Sequence, residues 1–145
     1  MAYRQVVYAS SATIVFNEES LNALLEKARK PNSRNNITGV LIHMDGSFIQ
    51  LLEGKEPALS ETYARIAADP RHTGITKLSD RTVDERSYPE TLMGFRALGE
   101  SELAEYPELF QPENGRWIIN PASDMDSRLR VIFDTFFRIN ASGRY

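Results

Sequence analysis

Apolar residues in the first two thirds of this chain fall into short runs broken by polar turns, whereas near the end they recur at helical spacing. Arg4 to Ser10 reads as a first strand centred on Val6, Val7 and Tyr8. Asn17 suits the cap of a helix whose first turn holds Glu18 and Glu19, where the positive end of the helix dipole favours acids. Leu21, Leu24, Leu25 and Ala28 mark one face of that helix, and Pro31 ends it with Lys27, Arg29 and Lys30 at the electronegative end. Asn32 to Asn36 is a polar loop. Ile37 to Met44 is rich in strand formers, Asp45-Gly46 fits a tight turn, and Ser47 to Leu52 is the return strand of a hairpin. Glu53-Gly54 stops that strand, and Pro57 suits the first turn of a second helix with Leu59, Tyr63, Ile66 and Ala67 on its buried face. A weaker strand follows over Gly74 to Leu78, and another includes Met93 to Leu98.

This order, β-α-β-β-α-β with one further strand, predicts an α+β fold of the ferredoxin-like pattern: a five-stranded mixed sheet with two helices on one face. The tail has a different character. Ser101 to Leu109 fits a short helix, and Ser123 can cap a longer one reaching Asn140. Met125, Leu129, Ile132, Phe133, Phe136 and Phe137 form a stripe along it that needs cover, from the other face of the sheet or from a second subunit. Residues 1–98 are thus expected as one domain, and residues 99–145 as a C-terminal helical extension. Trp117 reads as an anchor for that extension.

At 145 residues the chain is of single-domain length and long enough to bury a core without metal or disulfide help. It has no cysteine, which excludes thiolate catalysis and Cys-ligated metal. His43 and His72 stand far apart in no metal-ligand spacing, so no metal site is expected. A formal charge of -3 gives no general reason to bind nucleic acid. No apolar run reaches membrane-spanning length, and the first residues lack a signal-peptide pattern. A soluble, cytoplasmic protein is expected.

One position resists strand patterning. Gln50 lies inside the apolar run Phe48-Ile49-Gln50-Leu51-Leu52, and burying an unpaired amide costs about 1–3 kcal/mol. Tyr8 is a candidate partner, either as a core tyrosine bonded to a buried amide or as part of a network shared with a ligand. Asn32, Asn35 and Asn36 add amides that serve equally as turn formers. Arg65 stands four residues from both Glu61 and Asp69, the spacing of a solvent-facing charge ladder, and is also able to reach an anion. Asp69, Arg71 and His72 follow at the helix end. No phosphate-binding glycine loop is present, and Glu53 has no paired carboxylate at hydrolase spacing.

Over residues 3–98 these segments resemble the BLUF family, blue-light sensors that use flavin. The resemblance rests on Val7-Tyr8-Ala9-Ser10, Asn36-Ile37-Thr38-Gly39-Val40-Leu41 and Gly46-Ser47-Phe48-Ile49-Gln50-Leu51-Leu52-Glu53-Gly54, supported by Tyr63-Ala64-Arg65-Ile66, Asp69-Pro70-Arg71-His72 and Met93-Gly94-Phe95. It is their order and spacing together that carry it. The short form with terminal helices is similar to the stand-alone members. The resemblance implies a flavin, FAD or else FMN or riboflavin, with its ring between the two helices over the sheet. Tyr8 then matches the electron donor, and Gln50 the amide between that phenol and flavin N5 and O4. Asn32 matches a contact to the pyrimidine edge, and Met93 a relay beside Gln50. Arg65 fits the ribityl and phosphate portion, with Asp69, Arg71 and His72 as further binding positions. It implies light-dependent signalling through a homo-oligomer or a downstream protein, with no substrate turned over. A flavin redox enzyme and a non-photoactive interaction module of the same fold are the competing readings.

Two positions depart from the family pattern. Many members carry tryptophan two residues before the strand-five methionine, where this chain has Thr91, and some carry asparagine at the position of Pro31. Pro31 would stiffen the loop at the ring edge. Threonine offers neither the volume of an indole nor its ability to donate an electron. Thr91→Trp is therefore expected to change the photoproduct yield or the dark-recovery rate, which time-resolved absorption measures; unchanged values for both would remove Thr91 from the switch.

Overall fold

The computed structural model describes residues 3–13, 19, 23, 36–44, 46–70, 72–85, 95–98, 100–123 and 125–142. In chain order the elements are β1 (Tyr3–Ala12), β2 (Thr38–Met44), β3 (Ser47–Gly54), α1 (Ala58–Ala67), β4 (His72–Val83), β5 (Phe95–Leu98), a 3-10 turn (Glu100–Glu105), β6 (Phe110–Glu113), β7 (Arg116–Ile119) and α2 (Ser127–Ser142). The helix expected after Asn17 lies almost wholly outside the described residues; Glu19 and Ala23 are helical.

The fold is α+β. Its main sheet runs β4-β1-β3-β2-β5. The first four strands are antiparallel to their neighbours, and β5 joins β2 in parallel. Because side chains alternate across a strand, each strand serves two faces. One face gathers Val6, Tyr8, Ile37, Leu41, Phe48, Leu52 and Leu59, with Tyr63 and Ile66 of α1 packed against them. The other gathers Val7, Val40, Ile42, Met44, Ile49 and Leu51 against Leu103, Leu109, Phe110, Ile119 and the stripe of α2. The stripe is thus covered by the sheet of its own chain.

Gly39 of β2 leaves no room for a side chain: a Cβ there would collide with the carbonyl oxygen of Leu51 on β3. Gly46 turns the β2–β3 hairpin with φ +79°, as expected for a tight turn. Glu53 and Gly54 continue β3 rather than stopping it, because Arg4 and Gln5 of β1 pair with them. β4 is far longer than the expected Gly74 to Leu78. Its second half, Ser79-Asp80-Arg81-Thr82, has no apolar alternation, yet it pairs with β1 from Val7 back to Arg4. Charged side chains are ordinary on an edge strand.

Arg4 fastens this edge to α1. Its guanidinium donates to both Asp80 carboxylate oxygens, at 2.9 and 2.7 Å, and to Ser60 Oγ at 2.6 Å and Glu56 Oε2 at 3.2 Å. Arg4 and then Lys77 hold the Asp80 carboxyl well below its usual range. At the start of α1, Pro57 supplies no side-chain cap, and Glu56 accepts from the Ser60 backbone N–H at 2.9 Å instead. Ala67, expected on the buried face, is exposed, and that face is completed by Leu59 and Thr62.

In the tail, Ser101 to Leu109 forms only the 3-10 turn and the loop after it. The hairpin β6–β7 went unforeseen although Asn114-Gly115 marks its turn, with φ 52° and 81°. Trp117 of β7 is half-buried against the tail core, in keeping with an anchor. The cap of α2 is Asp126 and not Ser123: its Oδ1 accepts from the N–H of Arg128 at 2.9 Å and of Leu129 at 3.4 Å. Asp134 then ties α2 to β7 by accepting from the Ile119 N–H at 2.8 Å.

Phe133 is fully buried between α2 and the sheet, whereas Val131 is 64% exposed. Phe133→Ala is expected to destabilise the chain by about 3–5 kcal/mol, and Val131→Ala to stay within about 0.5 kcal/mol. Urea unfolding midpoints measure both; equal small effects would mean that α2 does not rest on the sheet.

Candidate functional site

The site begins with two strands. Tyr8 of β1 and Gln50 of β3 stand directly opposite one another in the antiparallel register, so their side chains project from the same face. Both are buried, at 1% and 2% exposure. The Tyr8 hydroxyl donates to Gln50 Oε1. Among the described residues, Gln50 Nε2 is buried with no hydrogen-bond partner. The sequence-level puzzle is therefore half solved by the protein: Tyr8 satisfies the carbonyl end of the amide, and the donor end stays open.

Around the pair the walls are apolar, formed by Val6, Leu41, Phe48, Leu52 and Leu59. Helix α1 contributes Tyr63, whose ring meets that of Tyr8 edge to face, with centroids 5.6 Å apart at 74°. Lys77 of β4 places its ammonium 5.0 Å from the centre of the Tyr63 ring and also pairs with Asp80 at 2.9 Å. Burial is the main cause pushing the Tyr8 phenol far above its usual pKa, with smaller contributions from Tyr63 and Asp69. The phenol is held neutral.

The candidates chosen from sequence divide clearly. Tyr8 and Gln50 are brought together. Asp69, half-buried just beyond α1, acts on the Tyr8 phenol through its negative charge. Arg65 is exposed on α1. His72 opens β4 with its backbone opposite Ala12, and its side chain is not described. Asn32, Arg71, Thr91 and Met93 lie outside the described residues. Sequence reasoning gave Tyr63 only a packing role and overlooked Lys77. Tyr63 lies four residues after buried Leu59, so helical spacing alone turns its ring toward the sheet. Lys77 became visible only with the pairing of β4, where it stands opposite Tyr8.

Among the described residues no three His, Asp or Glu side chains gather as a metal site, and no helix is long and apolar enough to cross a membrane. The family model described as sensors of blue-light using FAD, BLUF, matches residues 3–94, and the chain belongs to that family.

Relatives agree. Photoactivated adenylate cyclase subunit beta of Euglena gracilis is 36% identical over 104 residues, which are 72% of this chain and 12% of that protein. The alpha subunit from the same organism is 32% identical over 104 residues and is matched over 10% of its length. The chain thus spans only a small part of these relatives. The dark-state structure of the BLUF protein BlrB superposes with a TM-score of 0.64 at 26% identity, covering 71% of this chain and 76% of that one. The BlrP1 BLUF structure, at 22% identity, shows a likeness of fold alone, with a TM-score of 0.69 over 94% of this chain and 90% of that one.

The neutral phenol has a consequence for stability. Above pH 10.0, the ordinary value for tyrosine, the unfolded chain releases the Tyr8 proton and the folded chain keeps it. The folded state then binds more protons, so its stability falls as pH rises. Denaturant titrations from pH 9 upward (about one unit below the ordinary phenol pKa) should show a steeper loss for the wild type than for Tyr8→Phe. Parallel curves would mean that Tyr8 ionises freely in the fold.

Proposed function

We propose that this chain is a flavin-dependent blue-light photoreceptor in which Tyr8 is the oxidisable group and Gln50 the switching amide. The observation that carries this reading is Gln50, with its carbonyl engaged by Tyr8 and its buried Nε2 unpartnered among the described residues. Leaving such a donor unsatisfied costs about 1–3 kcal/mol, and a flavin ring edge offers the acceptors it lacks. The apolar walls suit the body of the ring. FAD is the form the family description favours; FMN or riboflavin would present the same ring. Asn32, Arg65, Asp69, Arg71 and His72 are the further binding positions, and Met93 is a relay for the state of Gln50.

When bound, the flavin supplies blue-light absorption and an excited-state electron acceptor. The protein supplies the rest. Tyr8 enters the light reaction neutral, with its proton at Oη against Gln50 Oε1. A phenol that loses an electron becomes a strong acid, and Gln50, which accepts its hydrogen bond, is the group through which that proton would leave. The amide terminus carries both a donor and an acceptor, so a changed Gln50, whether rotated or tautomerised, presents a different hydrogen-bonding group to Tyr8. In surroundings of low effective dielectric, that exchange alters both colour and packing without a new covalent bond. No substrate is turned over in this scheme.

The complete architecture in this reading is the ferredoxin-like one, with the helix of residues 17–30 beside α1. Residues 1–98 sense, and residues 99–145 form the output or oligomer surface. Relatives carry names such as photoactivated adenylate cyclase, and the signal here passes by the same logic to a partner protein or a second copy. A cytoplasmic setting fits that role.

The purified protein should be yellow and show a reversible red shift of its visible bands under blue light, without net flavin reduction. Gln50→Leu should abolish the normal shift. Wild-type protein that binds no flavin, or does not shift, overturns the reading. A full normal photocycle in the variant removes Gln50 from its role.

A further inference from the structure

The two strands that carry Tyr8 and Gln50 carry a second buried polar pair on their opposite face. Gln5 lies three residues before Tyr8 and Glu53 three after Gln50, and the register sets them directly opposite each other. Both are buried, at 0% and 1% exposure. Gln5 Nε2 donates to Glu53 Oε2 at 2.8 Å. The carbonyl end of the same amide accepts from Arg81 Nε at 2.9 Å, and Arg81 pairs with Gln5 across β1 and β4. A carboxylate on one side and a guanidinium on the other allow the Gln5 amide only one orientation.

Arg81 uses its other arm outside the sheet. One terminal nitrogen lies 3.0 Å from Asp126 Oδ1, the oxygen that caps α2. A continuous row of Glu53, Gln5, Arg81 and Asp126 therefore crosses three strands and ends on the first turn of the tail helix. Apolar packing holds the rest of α2 to the sheet. This row adds a directional polar tie, which fixes where the helix starts.

We infer that Arg81 is a positioning residue for output: through it, a displacement of β1 and β3 at the Tyr8–Gln50 pair alters the hold on the first turn of α2. This inference rests on the photosensor reading above. The physical ground is that β1 and β3 are shared. Any shift of their register or separation that accommodates a changed Gln50 also moves Gln5 against Glu53, and Gln5 is fixed to Arg81. The two-state element is the Arg81–Asp126 contact, half exposed at 26% and 41% side-chain exposure, so it can open without unfolding the core.

Two variants separate this role from simple capping. Asp126→Asn keeps an oxygen able to cap α2 but removes the charge facing Arg81. Arg81→Lys keeps the charge but replaces the rigid planar fork, which serves Gln5 and Asp126 from two nitrogens, by one flexible ammonium. Amide hydrogen exchange at Arg128 and Leu129, whose N–H groups bond Asp126, is measured in the dark and under blue light. The wild type should show a light-minus-dark difference there of roughly two- to fivefold in rate, the scale of one half-exposed ion pair. Both variants should keep the normal absorption shift and lose most of that difference.

A wild type that shifts in colour with no exchange difference at those amides overturns the inference and leaves the photosensor reading intact. So does a full difference in Asp126→Asn, which keeps the cap and changes only a partly exposed side chain. A wild type without an absorption shift overturns the photosensor reading and the inference with it.

Discussion

The antiparallel register of β1 against β3 is the constraint on which the rest of this molecule depends. One alignment sets Tyr8 opposite Gln50 on one face and Val7 opposite Leu51 on the other. Three residues along, it sets Gln5 opposite Glu53. A slip of one residue would send every side chain of a strand to the wrong face, burying the apolar set of one layer among the polar partners of the other. The two buried polar pairs resist such a slip because the hydrogen bond within each forms only in this register. They specify the alignment, while the apolar layers supply most of the stability.

The sheet is consequently a shared wall between two unlike environments. On the Tyr8 side, apolar residues and two aromatic rings surround one amide whose donor end is open. On the other side, a large aromatic core from β6, β7 and α2 closes the sheet against solvent. Close packing of this kind resists compression and transmits strain. A local exchange of hydrogen bonds is the sort of event such a wall can pass on. BLUF domains match this chain within longer proteins, as in the Euglena cyclases, where the matched part is a small fraction of the whole.

Charge is placed with equal economy. Arg4 fixes β4 and the start of α1 on the sensing side, and Arg81 fixes β4 and the start of α2 on the tail side. Both cations act beside the polar half of β4, the stretch that strand patterning passed over. Neither tie is deeply buried, and each is worth a modest amount alone. Their value is geometric: guanidinium groups offer several donors in one plane, so that Arg4 holds three partners and Arg81 two at defined angles.

Local chemistry made much of this legible in the sequence. Period-two runs gave β1 and the β2–β3 hairpin, Gly46 gave its turn, and the periodic greasy stripe gave α2. The misfit of Gln50 in an apolar strand pointed to the candidate site, since a buried amide needs partners whatever the fold. Motif order then supplied the family. Other features could not be read locally. The second half of β4 is strand because β1 needs a partner, not because its own residues favour one. Asp126 rather than Ser123 caps α2, and the same carboxylate meets Arg81 of β4. Lys77 joined the candidate site, and Gln5, Glu53, Arg81 and Asp126 formed one row, only when elements distant in sequence came side by side. Periodicity and the needs of buried polar groups were set by the sequence itself; which partners met those needs was decided by tertiary pairing, because a hydrogen bond requires two groups at one place and the chain alone names only one of them.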